Sequence, residues 1–555
     1  MICNYLTEKN LLTHFLINHN FYNIYLKSID SNITGHLPSI SLGYINNEKR
    51  LTKFFNRNNT IENYFDQIIE KKNNYNNNNR KLLFEVLNNN YNKVPKNSIQ
   101  LKSIQLLQDL NTFTVSTGHQ INLFTGPLYF FYKIIDTIKI CNELKSKYPE
   151  YEFLPVYWMA SEDHDYKEIN FFKTINKRFD WNISTKGKVG ELKTQSLKTL
   201  FNQMKDFFGE ENMNSKKLLK LFKVAYLNNK KLSNATFNLV HSLFGKYGLL
   251  ILNPDDVKLK NIICNDIIEE IKKQDCYKIV KETNKKLSDI NIKPQVNPRK
   301  INLFYINNNL RSRIEKKNSK YNVLGTNKTF SEIEIINEIK KYPERFSPNV
   351  LLRPFYQEKI LPNLAYVGGG SEIAYWLQLK SFFKIKKIPF PILKVRDSVL
   401  IVSKKHIEKC KKLNIDILDL FKNSSELNKF YVTKLSKNNL DLTNLKEAIN
   451  KNFIKLYKLS IKTDKSFLGA LKAQESKQIK GLNNLEKRLY KAEKQKQKDK
   501  LSRLGLIKEE LFPNNSLQER EINFSEFYQN HGDKLMDCLF KNISPFNNKF
   551  LVISL

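Results

Sequence analysis

The pattern of hydrophobic and polar positions divides the 555-residue chain into four successive parts. Residues 1–110 show helical spacing among polar, asparagine-rich stretches, which is typical of a mainly helical N-terminal part of the core. Residues 111–404 alternate short apolar runs with helical patterns, which indicates βαβ units around a parallel sheet, with an insertion at about 176–340. Residues 405–510 are helical and highly charged. Residues 511–555 end in an apolar, strand-like run that we expect to return to the core.

Four apolar runs are the strongest strand candidates of this α/β part. They lie at residues 113–116, 153–160, 249–252 and 391–395. A helix is predicted from Pro127, because proline suits the first turn of a helix and apolar residues follow at spacings of three and four. Those apolar residues are Leu128, Phe131, Ile135 and Ile138.

The charged segment carries a heptad seam. Its members are Leu468, Leu471, Leu482, Leu485, Leu489 and Ala492, interrupted by Glu475 and Gln478. Apolar residues at this spacing, with Lys and Glu elsewhere, are typical of a coiled coil. We expect residues 445–459 to fold back against the seam as a hairpin. The seam fits a helix pair within one chain and dimerisation through the arm equally well.

The composition is strongly basic. The chain has 92 Lys and Arg against 55 Asp and Glu, a formal net charge of +37. Such a charge attracts phosphate backbones. Asparagine and isoleucine are abundant as well, however, and the A/T-rich codons that these residues share with lysine produce this composition without a polyanionic partner. No nucleic-acid-reading motif accompanies the charge, so nucleic acid is disfavoured as a partner.

The cysteines and the N-terminal residues indicate the cellular compartment of the protein. The six cysteines are scattered and form no C-x-x-C pair or metal-ligand spacing. Residues 1–20 lack the basic start and apolar core of a signal peptide, and no stretch is apolar for long enough to span a bilayer. We therefore expect a cytoplasmic protein with reduced thiols and no membrane partner.

A glycine-containing segment follows the first predicted strand. It reads Ser116-Thr117-Gly118-His119-Gln120, and Gly126 and Tyr129 flank the start of the next helix. Backbone N–H groups in a loop from strand to helix can hold an anion, and His119 would add a donor. The segment is neither a P-loop nor a dinucleotide-binding fingerprint, and a turn that caps the helix is the alternative.

A cluster of acids ends the second predicted strand. It reads Glu162-Asp163-His164-Asp165. In open α/β sheets ligands bind beyond the carboxyl ends of the strands. Carboxylates this close repel one another, which raises the pKa of one of them and suits it to general base catalysis. A metal site and a solvated acidic turn are the alternatives.

A third segment, Gly368-Gly369-Gly370-Ser371-Glu372, precedes a helical run that contains Tyr375. Glycines allow a ligand to approach the backbone closely. Asn349 and Arg353 lie upstream and Arg396 follows the next strand, and arginine suits a carboxylate or a phosphate. Because the carboxyl ends of parallel strands share one edge of a sheet, we expect these side chains to converge with the first two segments.

Together the motifs resemble a bacterial family, the cysteine-adding enzymes of bacillithiol biosynthesis. The resemblance runs in order from about residue 115 to the C-terminus. It is carried by Gly118-His119-Gln120, Leu123 to Tyr129, Pro155 to Trp158, Glu162 to Asp165, Gln295-Val296 with Arg299, Asn302-Leu303-Phe304, Phe346 to Asn349, Arg353-Pro354, Glu372 to Trp376, Leu511-Phe512-Pro513 and Leu517 to Arg520.

The resemblance implies a Rossmann-like core with inserted segments and an antiparallel coiled-coil arm that forms homodimers, similar in outline to class I aminoacyl-tRNA synthetases. Gly118-His119-Gln120 would take the place of their nucleotide-binding histidine motif. The usual H-x-G-H is absent and Ser403-Lys404-Lys405 only faintly matches K-M-S-K-S. ATP is thus the candidate cosubstrate, although the chain lacks the full set of nucleotide-binding motifs. The resemblance implies no particular metal.

The implied reaction joins the carboxyl group of cysteine to the amino group of glucosaminyl malate in the last step of bacillithiol biosynthesis. Asp163 or His164 would take the proton of the amine. His119, with Gly118 and Gly126, would hold the activated acyl group or its phosphate, and Arg353 the malate carboxylates. The other expected binding residues are Gln120, Tyr129, Glu162, Asp165, Asn349, Gly369, Glu372, Tyr375 and Arg396.

Two other classes of protein fit parts of the sequence. A non-catalytic scaffold that acts through the coiled-coil arm would bind no small molecule at the sheet edge. A tRNA-dependent enzyme related to the synthetases would account for the charge, and it predicts salt-sensitive tRNA binding and lysines gathered on one face.

Overall fold

The computed structural model describes residues 26–92, 98–307, 310–463 and 465–555. These residues form strands with the bounds β1 (Leu26–Asp30), β2 (Thr112–Gln120), β3 (Glu152–Ala160), β4 (Phe171–Lys173), β5 (Arg178–Asp180), β6 (Leu250–Leu252), β7 (Leu303–Asn307), β8 (Leu310–Lys317), β9 (Lys320–Val323), β10 (Thr329–Phe330), β11 (Phe346–Pro348), β12 (Asn363–Gly368), β13 (Ile392–Val395), β14 (Ser398–Val402) and β15 (Lys549–Ser554).

Most of the remaining described residues are helical. The α-helices are α1 (Ser39–Ile45), α2 (Asn63–Asn74), α3 (Asn77–Asn90), α4 (Ile99–Leu106), α5 (Tyr129–Lys147), α6 (Tyr166–Ile169), α7 (Leu197–Phe208), α8 (Met213–Phe222), α9 (Leu232–Phe244), α10 (Val257–Ile262), α11 (Cys264–Lys273), α12 (Asp275–Asp289), α13 (Glu332–Lys341), α14 (Leu352–Ile360), α15 (Gly370–Trp376), α16 (Lys380–Ile385), α17 (Lys404–Lys412), α18 (Ser424–Leu435), α19 (Thr443–Ser460), α20 (Lys465–Lys496), α21 (Lys498–Leu511), α22 (Gln518–Glu521), α23 (Ser525–His531) and α24 (Lys534–Asn542).

The chain separates into two compact units, one formed by Met1–Ile401 with Gln518–Leu555 and one by Val402–Leu517. The first contains a five-stranded sheet in the order β13-β12-β2-β3-β6, in which all neighbours are parallel. The chain proceeds from β2 to β3 and β6 on one side and later to β12 and β13 on the other. This reversal of direction creates a crevice at the carboxyl ends of β2 and β12. The predicted α/β class with a parallel sheet is confirmed.

Both faces of the central sheet are covered. Tyr157 and Trp158 are neighbours in β3, and successive strand residues point to opposite faces. Each is buried and each joins a different apolar cluster. A strand that is apolar on both faces is typical of a parallel sheet with helices on either side.

The strand β2 is longer than the sequence predicts. The apolar run ends at Ser116, so Gly118-His119-Gln120 is predicted as a loop. In the structure the strand continues to Gln120, which pairs with Ala160 of β3. The prediction was wrong because a parallel partner of equal length extends the ladder through polar residues. Gly118, His119 and Gln120 therefore sit on a rigid strand end.

The predicted insertion at 176–340 contains one strand of the central sheet. β6 (Leu250–Leu252) pairs with β3 and divides the span into helices before it and helices after it. An antiparallel sheet in the order β10-β9-β8-β7-β11 comes next along the chain. A further sheet, β1-β15-β14, pairs the C-terminal strand antiparallel with β1.

The second unit contains the predicted helical hairpin. α19 and α20 pack together, with an ion pair between Lys446 and Glu486 at 2.8 Å and a hydrogen bond from the Tyr457 hydroxyl to Glu475 at 2.6 Å. Within the seam Leu471 is buried, whereas Leu468 and Leu485 are exposed. Among the described residues, no helix combines the length and apolar character needed to cross a bilayer.

Candidate functional site

A cleft of about 1200 Å³ opens at the carboxyl ends of β2, β3 and β12 and beside the residues that follow β13. It brings together all the site residues expected from the sequence except Gly126. These are Gly118, His119, Gln120, Tyr129, Glu162, Asp163, His164, Asp165, Asn349, Arg353, Gly369, Glu372, Tyr375 and Arg396. Residues that are distant in sequence meet here because the strand ends share one edge of the sheet.

Gln120 and Asp163 connect the first two segments. Gln120 donates from Nε2 to Oδ2 of Asp163 at 2.8 Å, and the backbone N–H of His164 donates to Oδ1 at 2.7 Å. Burial favours the neutral carboxyl, but the contacts with the side chains of His164 and Gln120, together with Arg311 and the His164 backbone N–H, outweigh it and hold the pKa of Asp163 well below its usual range. Asp163 is therefore a fixed negative charge at the cleft.

His119 lies under the cleft between two aromatic rings. Its ring centroid is 5.3 Å from that of Tyr129 and 5.1 Å from that of Phe130. Burial, reinforced by the charge of Lys133, lowers the pKa of His119 to about 3. The imidazole is neutral at physiological pH, and its buried Nε2 has no hydrogen-bond partner among the described residues. An unpartnered nitrogen of this kind is available to a ligand.

Lys133 is a site residue that the sequence analysis missed. Its Nζ donates to the carbonyl of Gly118 at 2.8 Å and forms an ion pair with Glu372. Burial opposes ionisation of Glu372, but Lys133 and the Tyr366 hydroxyl lower its pKa to about 2. The signal in the sequence was a single lysine inside the apolar stripe of the helix after Pro127. A buried lysine needs an anionic partner, which here comes from the third segment.

Arg353 is already engaged by protein groups. Its Nη2 donates to the hydroxyl of Tyr375 at 2.6 Å, and its Nη1 donates to Oε1 of Gln357 at 3.2 Å. A Cβ added at Gly118 would lie 3.3 Å from Nη1 of Arg353. The guanidinium therefore packs directly behind the end of β2, with fewer donors free for a ligand than the sequence analysis supposed.

Arg396 closes another side of the cleft. Its Nη2 donates to Glu519 at 2.6 Å, and its guanidinium carbon lies 5.0 Å from the centre of the Tyr129 ring. Its Nε is buried without a hydrogen-bond partner in the described structure, about 3.9 Å from where a Cβ of Gly369 would lie. Arg396 and His119 thus both contact Tyr129, and each carries one unsatisfied nitrogen.

A buried hydrogen-bonded chain supports the acidic segment from below. Lys260, fully buried, forms an ion pair with Glu162, and the Ser347 hydroxyl donates to Oε2 of Glu162 at 3.0 Å. Arg311 donates to the same Ser347 oxygen from Nη2 at 3.3 Å. Arg311 is a second site residue that the sequence analysis missed, because it lies 147 positions from His164, which it contacts.

Asn349 and Gly126 have mainly structural contacts. Asn349 lines the cleft, and its side chain bonds the backbone N–H of Leu351 and the side chain of Asn302, each at 3.0 Å. Gly126 lies outside the cleft-lining set, and its own N–H is bonded to the carbonyl of Leu123 at 2.9 Å. Its carbonyl accepts from Asn523 at 2.6 Å. The expected anion-holding role of the Gly126 N–H is therefore not supported, since the group is already used.

The acidic segment also has the composition of a metal site. Asp163, His164 and Asp165 offer ligand atoms within 4.8 Å of one another. Nη1 of Arg311, however, lies 2.7 Å from Nδ1 of His164 and 3.6 Å from Oδ1 of Asp163. A permanently cationic donor at these atoms competes with a metal ion. The donor set fits an ion-paired cluster better than a metal site.

Comparison with known protein families covers nearly the whole described chain. Residues 25–397 match the family described as "Bacillithiol biosynthesis BshC, N-terminal Rossmann-like domain". Residues 399–555 match "Bacillithiol biosynthesis BshC, C-terminal coiled-coil domain". The predicted Rossmann-like core and coiled-coil arm are confirmed by these matches.

Curated relatives match over most of their length. A protein of Flavobacterium johnsoniae is 46% identical over 522 residues, which cover 94% of this chain and 98% of the relative. Relatives from Christiangramia forsetii and Cytophaga hutchinsonii are 44% and 35% identical, over 94% and 84% of this chain and 97% and 87% of their own. All three bear the name "Putative cysteine ligase BshC".

Proposed function

Because the chain belongs to the BshC family of bacillithiol biosynthesis, we propose that it is a ligase that forms an amide bond between the carboxyl group of cysteine and the amino group of glucosaminyl malate, the last step of that pathway. The observation that carries the proposal is one cleft whose lining contains both carboxylates and guanidinium groups. An amine and a dicarboxylate on the same substrate are complementary to such a cleft.

The acidic segment is the amine end of the proposed site. Asp163 is held ionised, and Asp165 is exposed, with its Oδ1 3.8 Å from Nε2 of His164. The sugar amine must lose a proton before it attacks. Asp165 is the better acceptor because the donors to Asp163 reduce its basicity, and Asp163 attracts the amine by its charge.

The malate carboxylates belong at guanidinium groups of the same cleft. Arg353 already donates hydrogen bonds to tyrosine hydroxyls. Arg299 and Arg313, in contrast, line the cleft and are exposed. We assign the carboxylates to Arg299 and Arg313, with Arg353 behind them. Two guanidinium groups can each form paired hydrogen bonds to one carboxylate.

Amide formation from a free carboxylate is uphill in water, so the carboxyl group of cysteine must be activated. ATP is the candidate cosubstrate, and phosphoryl or adenylyl transfer would supply that activation. His119, Lys133 and Arg396 are the residues that would hold a transferred phosphate, since two of them have unpartnered buried nitrogens. The thiol substrate and the free thiols of the described cysteines suit a reducing cytoplasm.

The coiled-coil arm is the proposed site of homodimerisation. Leu445, Leu459, Leu468 and Leu485 are large apolar residues that remain exposed on α19 and α20. Exposed apolar residues along a heptad seam are typical of helices that pair with a second copy. Light scattering should give twice the chain mass of 65.5 kDa for the wild type. The double variant Leu468→Glu and Leu485→Glu should give a monomer, and a monomeric wild type would contradict this assignment.

The decisive experiment is mass spectrometry of purified protein incubated with cysteine and glucosaminyl malate, with and without ATP. We expect a product heavier than glucosaminyl malate by cysteine minus water. Asp163→Asn should lose most of the product, whereas Asp206→Asn, on the exposed face of α7, should keep it. Absence of the product under every nucleotide condition would refute the ligase proposal.

A further inference from the structure

Arg311 contacts His164 in a way that decides which ring nitrogen carries the proton. Nη1 of Arg311 lies 2.7 Å from Nδ1 of His164, whereas Oδ1 of Asp163 is 3.4 Å from the same nitrogen. Guanidinium is always protonated and can only donate. Nδ1 must therefore accept, and the imidazole proton is on Nε2.

The guanidinium of Arg311 has little freedom to turn away. Its side chain is 9% exposed, and its central carbon lies 3.9 Å from the centre of the Phe304 ring. Nε and Nη2 both donate to the Ser347 hydroxyl oxygen, at 3.4 and 3.3 Å. Ser347 in turn donates to Glu162, which is paired with the buried Lys260. A chain of contacts from the core thus fixes the direction in which Arg311 donates.

We propose that Arg311 is a positioning residue that fixes His164 as the tautomer protonated on Nε2, so that His164 acts as a hydrogen-bond donor and not as the base. This rests on the proposed ligase function. As the amine attacks the activated carbonyl carbon, the carbonyl oxygen gains negative charge, and Nε2–H of His164 stabilises it without giving up its proton. The proton of the amine goes to Asp165, and the activating group leaves with the bonding electrons.

The tautomer can be measured without any assay of activity. Long-range nitrogen–proton NMR on protein labelled with ¹⁵N at histidine separates the two tautomers, and His164→Gln assigns the signal. We expect Nδ1 of His164 to appear as the unprotonated nitrogen in the wild type. In Arg311→Met, which keeps the contact with Phe304, the proton should move to Nδ1, because Asp163 becomes the nearest partner.

Three further variants separate positioning from folding. Ser347→Ala should allow a mixture of tautomers, and Arg311→Lys should restore part of the wild-type signal. Arg313 lies on the same face of β8, two residues from Arg311. Arg313→Met should leave the signal of His164 unchanged. In the ligase assay Arg311→Met should lower kcat about tenfold or more, with a much smaller change in KM.

A proton on Nδ1 in the wild type would overturn the proposal, as would an unchanged tautomer in Arg311→Met. Failure of the ligase assay alone would refute the proposed function and leave the tautomer result standing. The two failures are therefore distinguishable.

Discussion

Gln120 donates to Asp163 at 2.8 Å and so joins the end of β2 to the segment that follows β3. The same amide also reaches Oε2 of Glu168 at 3.0 Å. The first two motifs of the sequence are thus one structural feature. A side chain on a rigid strand end orients an acid on a loop, which is the arrangement that catalytic sites require.

Replacing Gln120 by Leu tests this link. The variant keeps the side-chain size but removes the donor to Asp163, and a hydrogen bond to a charged group contributes about 1.5–3 kcal/mol. We expect kcat/KM of the proposed ligase to fall about tenfold or more. Gln105→Leu, on the exposed face of α4, is the matched control and should behave as wild type. Equal kcat/KM for the two variants would show that the orientation of Asp163 does not matter.

Much of this site was accessible from the sequence. The runs at 153–160 and 391–395 predicted strands, and parallel strands place their carboxyl ends together, so the meeting of Asp163, Glu372 and Arg396 followed from a general rule. The tertiary partners did not follow. Nothing local in the sequence pairs Gln120 with Ala160 or joins Arg311 to His164, because those contacts depend on how distant segments pack.

The burial of His119 predicts a pH dependence of stability. Its pKa is about 3 in the folded chain and about 6.5 when exposed, so the unfolded chain binds a proton that the folded chain excludes. The sign is therefore a loss of stability as pH falls from about 6.5 towards 3, by up to about 1.4 kcal/mol per pH unit.

Thermal unfolding of the wild type and His119→Gln between pH 7 and 4.5 measures this effect. The variant has no imidazole at this position, so its unfolding midpoint should fall less steeply with decreasing pH. Parallel curves for the two proteins would mean that His119 takes up its proton over the same pH range in the folded and unfolded chains.

The buried pair of Lys133 and Glu372 predicts a large effect of single substitutions. Lys133→Met leaves the carboxylate of Glu372 without its main cation, and breaking one partner of a buried ion pair costs about 3–5 kcal/mol. The double variant Lys133→Met with Glu372→Gln removes both charges and should recover part of that loss. Urea unfolding followed by fluorescence provides the comparison.

The ion pair of Lys133 and Glu372 also predicts a loss of stability at acid pH. The pKa of Glu372 is about 2 in the folded chain and about 4.5 when the carboxyl is exposed, so its contribution to stability is fully present above about pH 4.5 and is lost as pH falls towards 2. Glu372→Gln should remove this part of the acid sensitivity. A double variant no more stable than Lys133→Met alone would contradict the pairing.

Gly126 offers the cleanest test of a structural against a ligand-holding role. It has a φ of +65°, and a Cβ added there would lie 2.6 Å from Cβ of Asn122. Gly209 has a similar φ of +68° with nothing within 4 Å of its Cβ position. The two glycines share the same backbone preference, which costs alanine about 1–3 kcal/mol, but only Gly126 adds a steric clash.

We therefore expect Gly126→Ala to lower the unfolding midpoint in urea by clearly more than Gly209→Ala. At temperatures where Gly126→Ala is still folded, its KM for the proposed substrates should remain close to wild type, because the N–H of Gly126 is bonded to Leu123 and does not face the cleft. Equal losses of stability in the two variants would show that the loop around Asn122 moves to accommodate the added Cβ. A large rise in KM without loss of stability would indicate that Gly126 does contact the substrate, because only a lost contact with substrate explains that pattern.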